Sequence, residues 1–109
     1  MEFNEYQKRA LCTMKPWATK KDQVINGLLG LAGESGEVCE LLKHHFVKGT
    51  ELDMTAFKKE LDDIMWYIAE LCDAYGFTME EVAQLNLDKL AARYGKKFCN
   101  NENREGLAE

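Results

Sequence analysis

Apolar residues in this 109-residue chain recur at alternating steps of three and four. That spacing lines one face of an α-helix, and no stretch alternates with the period of two that a half-buried strand requires. Four helices follow. The first is predicted over about Glu2 to Met14, with Phe3, Tyr6, Ala10 and Met14 on one face and Pro16 ending it. The second spans about Asp22 to Phe46, with Val24, Leu28, Leu31, Val38, Leu41 and Leu42 toward a core, and is long for so small a chain. A short loop through Gly49 to Asp53 leads to the third, about Met54 to Tyr75, where Phe57, Leu61, Ile64, Ile68, Leu71 and Tyr75 form the cleanest stripe and Gly76 supplies a left-handed stop. The fourth begins at Thr78, whose hydroxyl can cap it while Glu81 returns the bond, and ends near Tyr94 before Gly95.

Length and composition narrow this picture without changing it. A chain of 12.5 kDa holds one modest core, so a single helical domain over residues 1–98 is expected, followed by a polar tail over 99–109. No apolar run approaches the ~20 residues of a membrane span, and the first ten residues lack the apolar segment of a secretory signal, which predicts a cytoplasmic protein with no membrane partner. Cys12, Cys39, Cys72 and Cys99 lie far apart with no CxxC pair, so buried, reduced thiols are expected and not a zinc site. A formal charge of −5 disfavours holding DNA or RNA through the phosphate backbone.

The acidic residues carry the chemistry. Pairs of acids three apart number six, against roughly three expected by chance, so one such pair means little. Glu34/Glu37 and Glu60/Asp63 differ from the rest by sitting mid-helix beside the apolar seams of the two longest helices. If those helices pack antiparallel across their short loop, each pair projects two carboxylates toward one cleft. Four converging carboxylates repel one another unless cations sit among them, and all-oxygen ligation selects a hard ion, Mg²⁺ or alternatively Mn²⁺. On spacing alone, solvated acids or acids paired with Lys43, Lys58 or Lys59 fit equally well. The second helix adds Gly27, Gly30, Gly33 and Gly36 at every third position, each costing ~1 kcal/mol against alanine inside a helix. Such a run serves close approach, either of another helix or of a ligand beside the acids.

The segments GLLGLAGESGEVCELLKHHFVKG, KKELDDIMWYIAEL and LNLDKLAARYGKKF together resemble the MazG-type nucleotide pyrophosphohydrolases over about residues 22 to 98. The family pattern, ExxE followed after a variable spacer by ExxD, is matched by Glu34-x-x-Glu37, 22 intervening residues, and Glu60-x-x-Asp63. The resemblance implies an all-α, four-helix MazG-like bundle working as a homodimer, sometimes paired into tetramers, in which Glu34, Glu37, Glu60 and Asp63 hold Mg²⁺ against a nucleoside triphosphate. It implies hydrolysis between the α- and β-phosphates to give the monophosphate and pyrophosphate, with Glu37 or Glu60 taking the proton of the attacking water.

On the fourth helix Asn86, Lys89 and Arg93 fall at i, i+3 and i+7, offering an amide and two cations to phosphate oxygens or forming an ordinary solvated edge. Tyr67, one turn after Asp63, is placed to wall the nucleotide or simply to pack. Asn26, His44 and Trp17 are further candidates for a base pocket. Related dCTP-specific enzymes resemble one another in carrying tryptophan at the position of His44, so base preference does not transfer. Two other classes compete: a di-iron carboxylate bundle, disfavoured because neither His44 nor His45 follows a glutamate by three, and a non-catalytic nucleotide-binding or helical interaction module of the same fold, disfavoured because all four acids are present.

Overall fold

In the computed structural model residues 1–95 are described, and all their regular structure is helical. The order is α1 (Phe3–Ala10), a 3₁₀ turn (Leu11–Thr13), α2 (Lys20–Lys48), α3 (Met54–Ala74) and α4 (Met79–Tyr94). The polar tail expected over 99–109, the domain end at 98 and Cys99 lie outside the described residues. The chain divides into two compact units, one ending at Met79 and one beginning at Glu80.

Local chemistry sets each boundary. α1 stops at Ala10, four residues short of Met14, because Thr13 Oγ1 donates to the Ala10 carbonyl at 2.7 Å and Met14 N–H to Leu11 at 3.1 Å, tightening the last turn. Met14 then turns extended, with ψ at 136°. α2 begins two residues earlier than Asp22, because the Thr19 hydroxyl accepts from Asp22 N–H at 3.1 Å. It ends at Gly49, in the left-handed region at φ 72°, where only glycine is unstrained. Asp53 opens α3 by accepting from Thr55 and Ala56 N–H. α4 begins at Met79, one residue past Thr78.

α2 and α3 pack antiparallel, and their facing residues run in opposite directions: Gln23 meets Asp73, Asn26 meets Glu70, Gly27 meets Leu71 and Gly30 meets Tyr67. A methyl built on Gly27 would stand 2.7 Å from Leu71 Cδ2, and one on Gly30 would overlap the Tyr67 ring. The first two glycines of the run therefore serve helix approach. Gly33 and Gly36 face open space. Across the other side of α3, Trp66 Nε1 donates to the Ala10 carbonyl and to Thr13 Oγ1, both at 3.1 Å, which ties the end of α1 to this pair.

The core of the Met1–Met79 unit is small. Ala69, Cys72 and Met79 are buried, with Tyr6, Leu11 and Ile68 against them. Gln7 is also buried, and its amide clamps the turn before α4, accepting from Met79 N–H at 2.7 Å and donating to the Phe77 carbonyl at 3.3 Å. Several residues expected in the core are not: Leu28, Leu61 and Tyr75 are 47%, 43% and 55% exposed. An apolar stripe spans about 100° of a helix, and one antiparallel neighbour covers only its centre. The thiols likewise depart from expectation. Cys72 is buried, but Cys12 sits in the 3₁₀ turn and Cys39 on the outer face of α2, both exposed and unbridged.

The two pairs of glycines predict opposite responses to alanine. Gly30→Ala should destabilise the protein by about 1–3 kcal/mol, the usual cost of overpacking. Gly33→Ala should add up to about 1 kcal/mol through helix propensity. Urea unfolding checks both, and a loss at Gly33 would mean that a second surface closes on that face.

Candidate acidic site

The antiparallel register brings residue 34 on α2 to the level of residues 60 and 63 on α3. Carboxylate oxygens from Glu34, Glu60 and Asp63 all lie within 4.8 Å of one another. Glu34 and Glu60 are half-buried and Asp63 is exposed, so the group opens at the rim of the α2–α3 seam. Glu37, the fourth acid of the expected cluster, is exposed and outside this group. A step of three residues rotates a side chain by about 60° around a helix, enough to carry Glu37 past the seam that Glu34 faces.

The electrostatics follow from crowding. Glu34 is pushed up to about 7, first by its hydrogen bond with Glu60, then by burial and by the charges of Asp63, Glu60 and Glu37. A hydrogen bond between two carboxyls favours the protonated form, and like charges close by favour it further. Asp63 is also raised, by burial first and then by Asp62 and Glu60. Among the described residues no lysine or arginine pairs with Glu34, Glu60 or Asp63, so Lys43, Lys58 and Lys59 do not neutralise them. Two tyrosines border the acids. Burial, followed by nearby carboxylates, raises Tyr67 on α3 and Tyr6 on α1 above the ordinary phenol range. The Tyr67 ring lies over Gly30 and packs edge-on against Trp66, with centroids 5.3 Å apart.

The other expected site residues fall into three places. Trp17 and Asn26 come together beside α3, but their polar atoms meet a residue that sequence reasoning passed over. Glu70 is fully buried, and its carboxylate accepts from Trp17 Nε1 at 3.1 Å and Asn26 Nδ2 at 2.8 Å. The signal was a lone acid in the apolar run IAELC, on the stripe of Asp63 and Tyr67. His44 is half-buried near the end of α2 and holds Glu40 one turn back at 2.8 Å, lowering that carboxyl's pKa. Asn86, Lys89 and Arg93 are exposed along α4.

A set of three carboxylates with no nitrogen or sulfur among them has the donor chemistry that suits a hard divalent cation. Among the described residues no helix is long and apolar enough to cross a membrane.

The Gene 37 protein of Mycobacterium phage L5 is 33% identical over 69 residues, an alignment that covers 60% of this chain and 60% of the phage protein. No solved structure matches the chain at a significant level. Residues 24–98, which run from the first turns of α2 beyond α4 and include all four acids of the ExxE and ExxD pairs, match the MazG nucleotide pyrophosphohydrolase domain. The match takes in well over half the sequence, and with its all-helical fold the chain belongs to the MazG nucleotide pyrophosphohydrolase family.

Proposed function

We propose that this protein is a Mg²⁺-dependent nucleoside triphosphate pyrophosphohydrolase, cutting a ribo- or deoxyribonucleoside triphosphate between its α- and β-phosphates to release the monophosphate and pyrophosphate. The observation that carries the reading is the meeting of Glu34 with Glu60 and Asp63 across two helices with no basic partner among the described residues. These three carboxylates would hold the metal, Mg²⁺ or Mn²⁺, with Glu37 joining from the adjacent turn of α2. The ion, when bound, neutralises charge on the triphosphate and acidifies the attacking water.

The chain's own residues do the rest. Glu37, outside the group of three, and Glu60 within it are the two candidate acceptors for the water's proton. Tyr67, held over Gly30 beside the acids, forms a wall for the nucleotide. Asn86, Lys89 and Arg93 offer donors to phosphate oxygens from one stripe of α4. Of the residues expected around the base, His44 would have to release Glu40 to serve, and Trp17 and Asn26 have their polar atoms turned to Glu70.

In this reading residues 1–98 act as one cytoplasmic domain, followed by the tail over 99–109, and the working form is a homodimer that can pair further into a tetramer. The span of the family match, which runs on past the division at Met79, supports the first point. Exposed Leu28 and Leu29 beside the open glycines, with Phe46 and Val47 at 77% and 74% exposure, support the second. Light scattering should give at least twice the 12.5 kDa chain mass.

Pyrophosphate release measured over a panel of canonical and modified nucleoside triphosphates should occur with Mg²⁺ and stop with chelator. Glu60→Gln should lower it by more than about 100-fold, beyond the range typical of residues that only support a metal ligand. Turnover on no member of the panel would favour a non-catalytic nucleotide-binding module, the reading to which the position of Glu37 outside the cluster lends weight.

The raised Glu34 also predicts an unusual pH dependence. Its folded value of about 7 lies above the ordinary 4.5, so its contribution to stability is complete below about 4.5 and is lost as pH rises through about 7. In chelator, the melting temperature should therefore fall between pH 5 and pH 8. Mg²⁺ should restore it most at pH 8, where the proton no longer competes, and Glu34→Gln should flatten the profile.

A further inference from the structure

Among the described residues Glu70 is the one side chain of its size that is fully buried, and nothing in the proposed reaction uses it. Its two oxygens have different partners: Oε2 accepts from the Trp17 indole at 3.1 Å and Oε1 from the Asn26 amide at 2.8 Å. Trp17 belongs to the segment leading into α2, and Asn26 to α2 itself, so one carboxylate on α3 grips both. Gly27 makes the grip possible, since a methyl there would come within 3.4 Å of Glu70 Oε1 and 2.7 Å of Leu71 Cδ2. Gln23 adds two further ties on the same face of α2, donating to the Glu70 carbonyl at 3.0 Å and to Asp73 Oδ2 at 2.9 Å.

Apolar ridges let paired helices slide and roll by small amounts at little cost, whereas a buried carboxylate between two fixed N–H donors does not. Asn26 precedes Glu34 by eight residues, a little over two turns, and Glu70 follows Asp63 by seven, about two turns. A shift at the Glu70 end is thus carried along two rigid rods to the acids. We infer that Glu70 is a positioning residue for the acidic site, its carboxylate fixing through Asn26 and Trp17 the register at which Glu34 meets Glu60 and Asp63. The inference rests on the reading of that site as the metal site, and it removes Trp17 and Asn26 from direct contact with the base.

The chemistry at position 70 has a specific requirement, two acceptors facing two donors. Glutamine supplies one acceptor and sets an N–H₂ against the second donor. Exchanging the groups, with Glu70→Gln and Asn26→Asp together, restores the match: the amide introduced at position 70 accepts from the indole and donates to the carboxylate introduced at position 26. Asn26→Asp alone places two carboxylates face to face. Trp17→Phe removes a single donor and keeps a ring, so it tests the same link in a variant that retains the packing.

The experiment compares these four variants with the wild-type chain by three readouts: the Trp17 indole N–H resonance in the variants that keep Trp17, amide hydrogen exchange over residues 30–37 and 60–67, and the Mg²⁺ concentration for half-maximal pyrophosphate release. Glu70→Gln should move the indole signal, lose protection at the level of Glu34, and raise the Mg²⁺ requirement by about 10–100-fold, the range of outer-shell losses at metal sites. Trp17→Phe should raise the requirement less and leave the KM for nucleotide at saturating Mg²⁺ unchanged. The double exchange should bring protection and the Mg²⁺ requirement back toward wild type, including where Glu70→Gln alone fails to fold.

Three results would overturn the inference: a moved indole signal with protection at residues 30–37 intact, a double exchange no better than the poorer single variant, or a Trp17→Phe effect confined to KM. If the wild-type chain hydrolyses no nucleotide, the functional reading falls separately. The exchange pattern and its repair then decide the role of Glu70 without any turnover.

Discussion

Two helices can place opposed carboxylates within reach of one ion only if their backbones come close enough and stop at one register. Here closeness comes from Gly27 and Gly30, where the absent methyls leave room for Leu71 and for the ring of Tyr67. Every distance in the acidic site inherits that approach. The same contact sets the Tyr67 ring beside the acids it borders, so packing and chemistry share one surface. The conformational penalty of glycine inside a helix, ~1 kcal/mol each, is the local cost of that arrangement.

The seam is also where the molecule keeps its uncompensated charge. At one end, Glu34, Glu60 and Asp63 crowd together with no basic partner among the described residues, and the crowding raises Glu34 and Asp63. Two turns away, Glu70 is more deeply buried, yet its oxygens are matched by an indole and an amide. A buried acid whose acceptors are satisfied can hold structure in place, while a half-exposed group of acids that lack partners attracts something from solution. Nucleotide hydrolysis calls for the second kind of site supported by the first, because the protein's share of phosphoryl chemistry is chiefly the placement of charge.

Much of the Met1–Met79 unit is incompletely covered. Its buried apolar core is three residues with three half-buried neighbours, and long stretches of α2 carry exposed leucine, phenylalanine and valine. In a small helical protein such surface is a place for further contact, and it lies on the same helix as Gly33, Gly36 and Glu37.

The four helices and the pairing of ExxE with ExxD were legible in the sequence because both depend on spacing along a helix, which the backbone imposes locally. The stop at Gly76 was legible for the same reason, as a glycine that can take the left-handed conformation, whereas the second helix runs two residues past the expected Phe46 to its cap at Gly49. Helix α1 is shorter than its apolar spacing implies because the turn at Leu11–Thr13 depends on one hydroxyl choosing a backbone carbonyl. Leu28 and Tyr75 lie outside the core because periodicity marks an apolar face without saying how much of it a neighbour covers. What the tertiary structure alone decided was which carboxylates meet, three and not four, and which acid is gripped instead of left open, since Glu37 and Glu70 are distinguished only by rotation about helices whose partners and register lie far away in sequence. Local spacing determines the candidates, and the long-range contact at Gly27 and Gly30 selects among them.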